Sequence, residues 1–332
     1  MSPEDVTSEV VQPKGPVVVL GGAGFIGTRL SNLLAAQNIP FRIGDLRMSA
    51  QYPEHTTICD VRDASSLTEV LSGARGVINL AAEHRDNVRP ISRYHDTNVE
   101  GARQVCEAAT AAGIDSITFT SSVAVYGFHR RPIDEGGPFE PFHPYGQTKL
   151  EAEGVYRGWA EQNSRRRLVV IRPTVVFGEG NRGNVYNLLR QIASGKFLMV
   201  GPGTNVKSMA YVGNIVALLY RCQTLGCGQH TFNYVDGPDL NTKDLVTYVW
   251  SCLGRKGRVP HLPLSLAMGV GHTLDAISRV TGKNFPVTAL RVKKFTESTQ
   301  FRSNCISSLD FTPPYTLKEA LARTIQSEFG AK

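Results

Sequence analysis

The stretch "VVVLGGAGFIGTRL", residues 17–30, carries the strongest structural signal in the chain. Its apolar start predicts a short buried strand, and the apolar spacing after the glycines predicts a helix. In such a unit the first glycine permits a tight turn, the second lets the backbone approach a pyrophosphate, and the third lets the helix pack close to the strand. The phosphates rest on the free N–H groups of the helix start. The cofactor-binding residues predicted here are Gly21, Gly24, Phe25, Ile26 and Gly27.

Apolar runs alternate with helical patterns through the first half of the chain. Strands are predicted at 16–22, 41–45, 56–60, 76–82, 116–122 and 168–178, and helices at 25–38, 63–72, 95–112 and 145–162. Buried strands alternating with crossover helices indicate an α/β protein with a parallel sheet covered on both faces. Right-handed crossovers make that sheet doubly wound, as in the Rossmann fold.

The composition of the chain changes after residue 178, where Gly, Pro and Asn become frequent and the predicted helices and strands become short. We predict a flexible tail at 1–14, an NAD-binding Rossmann domain at 15–178, and a smaller, mainly substrate-binding lobe at 179–332. Some segments of this C-terminal lobe are expected to return to the sheet.

Composition describes an ordinary globular chain, with 332 residues, 41% hydrophobic and 20% charged. The acidic N-terminus has no apolar block, and no apolar run approaches the roughly 18 residues of a membrane span. We therefore expect a cytoplasmic protein without stable membrane insertion. The six cysteines are scattered with no CxxC pair, so they are expected to be reduced thiols, and no metal is expected.

The net charge of +7 would suit nucleic acid, a membrane surface or an anionic substrate. The densest basic run, residues 165–167, has no interleaved aromatic side chains. It is interpreted as a solvated helix end, and no nucleic-acid partner is expected.

Two acidic positions come directly after predicted strands and favour a dinucleotide. Asp45 ends the second strand, where a carboxylate accepts hydrogen bonds from the adenosine ribose and repels a 2′-phosphate, which favours NAD. Arg47 would favour NADP if it folded inward. Asp60 either accepts the adenine amino group, with Val61 lying on the ring, or caps the following helix.

The segment "YGQTK" places Tyr145 and Lys149 four residues apart at the start of a predicted helix, on one face. Taken alone, the pair is more typical of a surface tyrosine and a solvated lysine. Four motifs in order change that interpretation: "GGAGFIG" (21–27), "NLAA" (79–82), "TSSVAVYG" (120–127) and "YGQTK" (145–149). Over nearly its whole length the chain resembles the extended short-chain dehydrogenase/reductase family, and more narrowly its nucleotide-sugar epimerase/dehydratase branch.

This resemblance implies hydride transfer at C4 of a nucleotide-linked sugar, with a homodimer formed by the helices at 95–112 and 145–162. Tyr145 would be the general base or acid, since Lys149 and a positive nicotinamide favour the phenolate of a tyrosine whose free pKa is about 10. Ser122 would bind the reacting oxygen, while Ser121 would be structural.

The resemblance also implies supporting residues. Asn98 would lie on the helix behind the active site, and Ala81 and Ala82 would line the cofactor path. His84, with Arg85 beside it, would face the substrate, although a plain loop position explains both residues equally well.

The two residues after Ser122 bear on the type of reaction. Dehydratases of the branch carry an Asp-Glu pair where this chain has Val123 and Ala124, which cannot move a proton, so 4,6-dehydration is not expected. A 4-epimerase is favoured narrowly over a 4-ketoreductase or a reductase like the 3β-hydroxysteroid dehydrogenases. A binding protein without catalysis is the third alternative.

The C-terminal half supplies the remaining candidate residues. Lys207 stands where the branch often has an arginine that grips the nucleotide diphosphate, and it would act as a point charge. Asn184 and Arg182 would reach a diphosphate, although an ordinary glycine-rich surface loop explains the same residues. Residues 262–282 resemble the reductase relatives, and they are expected to pack over the substrate cleft rather than to touch a membrane.

Overall fold

A seven-stranded parallel sheet forms the centre of the protein. The computed structural model describes residues 15–85, 88–129, 131–257, 259–281, 288, 292 and 296–330, so the predicted tail at 1–14 lies outside it. The strands, in chain order, are β1 (Val17–Leu20), β2 (Phe41–Asp45), β3 (Thr56–Ile58), β4 (Gly76–Asn79), β5 (Ser116–Thr120), β6 (Arg167–Pro173), β7 (Val175–Phe177), β8 (Met199–Val200), β9 (Met209–Tyr211), β10 (Gly228–Tyr234) and β11 (His261–Leu262).

The helices lie mostly between these strands. They are α1 (Phe25–Ala36), α2 (Ala64–Leu71), α3 (Ser92–His95), α4 (Gly101–Ala111), α5 (Pro144–Glu161), α6 (Asn184–Ala193), α7 (Val212–Arg221), α8 (Thr242–Cys252), α9 (Leu264–Thr281) and α10 (Leu317–Phe329). A π-helical turn over Asp96–Glu100 joins α3 to α4. Among the described residues, no helix is both long enough and apolar enough to cross a bilayer.

The strand order of the sheet is β3-β2-β1-β4-β5-β6-β10. The order reverses at β1, because β2 and β4 both pair with it, and this confirms the predicted doubly wound α/β sheet. The last strand, β10, pairs with β6 and comes from beyond residue 178. The division of the chain into domains at that residue stays a prediction.

One predicted strand is wrong in its extent. The run at 168–178 forms two strands, because β6 ends at Pro173 and β7 pairs with β9 in a separate two-stranded sheet. Proline has no N–H to continue a ladder of hydrogen bonds, so the chain leaves the central sheet there. A second small sheet pairs β8 with β11.

Alternate side chains of each strand enter two cores. In β1, Val17 and Val19 join the core that includes side chains of α1 and α7, whereas Val18 and Leu20 join the core that includes side chains of α2, α4 and α5. Successive strand residues point to opposite faces, so a strand buried on both faces is apolar throughout. This accounts for the continuous "VVVL" of β1.

A buried ion pair fixes α5 against the sheet. Arg172 of β6 donates to both carboxylate oxygens of Glu153 on α5, with N···O distances of 2.8 and 2.5 Å. Arg172 also donates to the Tyr126 hydroxyl, which donates to Asn233 of β10 at 2.9 Å. All four side chains are buried. The helix that carries Tyr145 and Lys149 is therefore held in a single register on the sheet.

Glu153→Ala should lower the free energy of unfolding by about 3–5 kcal/mol, because it leaves the Arg172 guanidinium buried without its partner. The double variant Glu153→Leu with Arg172→Met should regain much of that loss, since it removes both charges. Urea unfolding measures both variants. A loss below about 1 kcal/mol for the single variant would contradict this role for the pair.

Candidate active site

The glycine turn after β1 admits no larger residues. Gly21 has a φ of +75°, and a Cβ there would lie 2.8 Å from the Ala81 nitrogen. A Cβ on Gly27 would lie 2.5 Å from the Gly22 Cα, because α1 starts directly against the strand end. Gly24 precedes α1, whose first turn has no acidic side chain. Phe25 and Ile26 are the first two residues of this helix, so their N–H groups belong to the positive helix terminus that suits a pyrophosphate.

Asp45 lies at the carboxyl end of β2 and braces this turn. Its Oδ2 accepts a hydrogen bond from the Ala23 N–H at 3.0 Å, and its Oδ1 accepts one from the Arg47 N–H at 3.3 Å. Arg47 is exposed, and its guanidinium lies 3.5 Å from the Ala23 carbonyl oxygen. The carboxylate thus lies beside the glycine turn, where the ribose of a bound dinucleotide would contact it.

The next acidic position pairs with an arginine. Asp60 accepts hydrogen bonds from Arg62 Nε and Nη2, the shortest at 2.5 Å, and this pairing lowers the pKa of Asp60. The cap of α2 is Asp63, so the alternative that Asp60 caps this helix is wrong. Val61 is buried in the core against Gly101, so its side chain offers little surface to an adenine ring.

Ser122 and Tyr145 meet where β5 ends and α5 begins. His143 caps α5, with its Nδ1 accepting from the Tyr145 N–H at 3.2 Å, and this fixes the first turn. Ser122 Oγ accepts from the Ala124 N–H at 3.2 Å and also hydrogen-bonds the Tyr145 hydroxyl. Burial raises the pKa of Tyr145 to about 12, and the hydrogen bond from Ser122 opposes that rise. The phenol is therefore protonated at neutral pH in the cofactor-free protein.

Lys149 lies one turn further along α5 and is 2% exposed. Its Nζ donates to the Thr120 carbonyl oxygen at 2.8 Å and lies 4.4 Å from the centre of the Phe119 ring. Burial lowers the pKa of Lys149 to about 7, and the nearby Glu153 carboxylate opposes this shift. Lys149 and Tyr145 thus lie one turn apart on α5, and each has its pKa shifted by burial.

Asn98 joins the loop after β4 to α5. Its Oδ1 accepts from the Glu83 N–H at 2.9 Å, and its Nδ2 donates to the Glu83 carbonyl at 3.1 Å and to Thr148 Oγ at 3.0 Å. Asn98 sits in the π-helical turn, a distortion common at functional sites. Ala81 adjoins the glycine turn through Gly21, and Ala82 follows it in the same loop.

The predicted substrate residues come from separate segments. His84 is exposed, with its ring 3.4 Å from the Ala82 carbonyl, and Asn184 is exposed at the start of α6. Within the described chain neither side chain hydrogen-bonds Tyr145. Lys207 is half-buried and its Nζ donates to Thr299 Oγ at 2.9 Å, while burial lowers the pKa of Lys207. The structure therefore assembles the catalytic candidates but does not join His84 or Asn184 to them.

Two supporting residues were missed from the sequence. Thr148 orients Asn98, and Glu153 places a carboxylate near Lys149. Glu153 comes four residues after Lys149, and residues at this spacing are neighbours on a helix, so the contact could have been predicted from the sequence. Among the described residues, no three His, Cys, Asp or Glu side chains are grouped as metal ligands, and all six cysteines are free.

Comparison with known proteins identifies the family of the chain. Residues 17–233 match the model of the NAD dependent epimerase/dehydratase family. The protein belongs to this family. The cofactor is therefore NAD, and the expectation of an NAD-dependent epimerase of the nucleotide-sugar epimerase/dehydratase branch is confirmed.

Individual members of the epimerase family resemble this chain to different degrees. The N-acetyl-alpha-D-glucosaminyl-diphospho-ditrans,octacis-undecaprenol 4-epimerase of Escherichia coli O157:H7 is 49% identical, over 94% of this chain and 95% of that protein. The UDP-glucose 4-epimerase of Vibrio cholerae is 25% identical, over 97% of each. The solved structure of MoeE5 in complex with UDP-glucose and NAD has the same fold, with a TM-score of 0.74 and 22% identity over 94% of this chain and 98% of that one.

Gly21→Ala should weaken NAD binding at least tenfold, because the added Cβ collides with the Ala81 backbone in a left-handed conformation. Isothermal titration of cofactor-free protein measures the affinity. Gly158→Ala on α5 is the matched control, since a Cβ there meets nothing within 4 Å. Equal NAD affinity in both variants would contradict the predicted role of the glycine turn in cofactor binding.

The stability of cofactor-free protein should rise with pH above 7 through Lys149. Its pKa of about 7 in the folded state lies below the ordinary 10.5, so the unfolded chain binds more protons between these values. The contribution is at most about 1.4 kcal/mol per pH unit. Urea unfolding at pH 7, 8 and 9 should show a smaller rise for Lys149→Met than for the exposed control Lys196→Met. Equal slopes would show that the ammonium is not desolvated.

Proposed function

We propose that this epimerase inverts C4 of N-acetylglucosamine carried by a diphosphate on a polyprenol. The observation that carries the proposal is the 49% identity, over nearly the full length of both chains, to an epimerase named for that lipid-linked sugar. The identity to the UDP-glucose 4-epimerase of Vibrio cholerae is only 25% over a similar length. The names of these relatives differ in both the sugar and its carrier, so the higher identity favours the lipid-linked N-acetylglucosamine.

The C-terminal part of the chain offers a candidate anchor for the diphosphate. Lys207 replaces the arginine with which relatives grip a nucleotide diphosphate, and an ammonium recognises phosphate as a point charge without a bidentate fork. Thr299 holds Lys207 in place. A diphosphate is common to both kinds of substrate, so Lys207 serves as its anchor, with Asn184 and His84 as further substrate contacts.

The catalytic roles come from the geometry at the end of β5. Bound NAD would supply a reversible hydride acceptor, held by the glycine turn and Asp45. Tyr145 takes the proton from the sugar O4 when C4 is oxidised and returns it when C4 is reduced. Ser122, already bonded to the phenol, donates a hydrogen bond to the same substrate oxygen.

The change of pKa on cofactor binding is essential to this mechanism. Burial alone raises the pKa of Tyr145 to about 12. The positive charge of bound oxidised NAD would favour the phenolate of Tyr145, and a protonated Lys149 one turn away would add to that effect. Glu153 favours the protonated state of Lys149. We therefore expect NAD binding to favour the form of Tyr145 that accepts the proton.

The proposal extends to assembly and location. The faces of α4 and α5 would join two copies in a homodimer, as the family resemblance implies. The enzyme would act in the cytoplasm, at a step of surface polysaccharide assembly that uses a lipid-linked sugar.

Incubation without added reductant should convert polyprenyl-diphospho-N-acetylglucosamine into its C4 epimer, with kcat/KM at least tenfold above that for UDP-N-acetylglucosamine. Tyr145→Phe should lower kcat by about 10²–10⁴-fold, because the proton acceptor is lost. Tyr220→Phe on α7 is the control. Dependence on stoichiometric reductant would favour the ketoreductase, and faster turnover of the UDP-sugar would overturn the lipid carrier.

A further inference from the structure

We propose that α9 docks on an anionic lipid bilayer and holds the substrate lobe against the membrane surface. The proposal rests on the proposed function for the reason to visit a membrane, since a polyprenyl chain resides in one. Its own support comes from an exposed apolar helix face, from the distribution of charge along the chain, and from a cleft that joins this helix to the segment of Lys207.

The first observation is the apolar face of α9. Leu266, Val270 and Leu274 recur every four residues and so share one face of the helix. Leu266 is 58% exposed and Val270 is 51% exposed. With Ser265, Gly269 and Thr273 they line a shallow apolar groove. Of the α9 side chains that the structure describes, Ala267 alone is buried.

This face differs from the scattered apolar residues of an ordinary surface. Leu264, which is 41% exposed, Leu266 and Val270 lie within seven residues of one another. Contiguous exposed apolar side chains mark interaction sites, whereas single ones do not. The sequence led us to expect packing of this segment over the substrate cleft. In the structure Leu266 and Val270 are exposed instead, whereas Ala267 between them is buried.

The second observation is where the positive charge lies. Residues 255–302 contain nine Lys or Arg and two Asp or Glu, while the rest of the chain contains 27 of each sign. The whole net charge of +7 therefore belongs to the segment that carries α9. Arg255 and Lys256, just before β11, are exposed. Basic residues beside an apolar helix are complementary to an anionic lipid surface.

The third observation connects α9 to the proposed substrate site. A cleft of about 380 Å³ separates the loop after β8 from the first turn of α9. It is lined by Val200, Pro202, Thr204, Asn205, Leu264, Thr296 and Glu297. Lys207 comes two residues after this loop, and Leu264 lies both in the cleft and at the exposed start of α9. A polyprenyl chain that leaves a diphosphate at Lys207 would thus have a short route through this cleft to the exposed start of α9.

The mode of contact is interfacial. Since no helix among the described residues can cross a bilayer, α9 would lie in the plane of the headgroups with Leu266, Val270 and Leu274 inserted. The other occupant of such a face would be a second copy of this chain, and a measurement of oligomeric state separates the two.

The test is flotation of the full-length protein with phosphatidylglycerol/phosphatidylcholine vesicles and with phosphatidylcholine vesicles. The protein should float with the anionic vesicles and not with the neutral ones. The double variant Leu266→Asp with Val270→Asp should lose at least tenfold in vesicle affinity. The matched control, Ile58→Asp with Val175→Asp, changes exposed apolar residues on other elements and should float like the wild type. Arg255→Glu with Lys256→Glu, outside the helix, should weaken flotation without any change in α9.

Three results would overturn the proposal: no flotation of the wild type, equal flotation of the α9 variant, or a change from dimer to monomer in that variant by analytical ultracentrifugation. The last result would assign the face to a second copy. Epimerisation of a short-chain, water-soluble polyprenyl analogue should stay unchanged in the α9 variant. Flotation without epimerisation of any lipid-linked sugar would contradict the proposed function but would still support docking of α9 on the bilayer.

Discussion

A cation buried at the end of β5 is the feature on which the site depends. Lys149 is removed from water, donates to the Thr120 carbonyl, and has its pKa lowered to about 7. Such a position is costly for an ammonium, so contacts that hold α5 against the sheet are needed to keep Lys149 there. The ion pair of Glu153 with Arg172 and the bonds of Asn98 to Thr148 and Glu83 hold that helix from both sides. These same contacts put Tyr145 beside Ser122.

The doubly wound sheet explains why the remaining parts of the site converge. All seven strands are parallel, so their carboxyl ends share one edge, and the ends of β1, β2, β4 and β5 supply the glycine turn, Asp45, Ala81 and Ser122. The order of the sheet reverses at β1, which opens the crevice for a dinucleotide. The candidate residues for cofactor binding and proton transfer therefore converge through one topology, whereas the proposed substrate residues Asn184 and Lys207 lie beyond β7.

Sequence reasoning reached those parts that depend on local pattern. The glycine turn, six of the strands of the central sheet and the placement of Tyr145 and Lys149 on α5 can all be inferred from spacing within a few residues. Sequence reasoning missed the strand end at Pro173, the helix cap at Asp63 and the pairing of Asp60 with Arg62. A run of apolar residues does not show which strand it pairs with, and a single carboxylate does not show which group it hydrogen-bonds. The Glu153–Arg172 pair spans two elements 19 residues apart, and no spacing rule predicts it. The open face of α9 was also missed, because burial depends on what packs against a helix.

The mechanism requires that C4 is oxidised and reduced inside one closed active site by hydride transfer. The experiment that probes this requirement is the fate of deuterium placed at C4 of the substrate sugar during epimerisation in ordinary water. We expect the deuterium to stay at C4 of the inverted product, since it leaves and returns within the same site. Loss of the label to the solvent would contradict hydride transfer and require a mechanism that breaks the bond at C4 in another way.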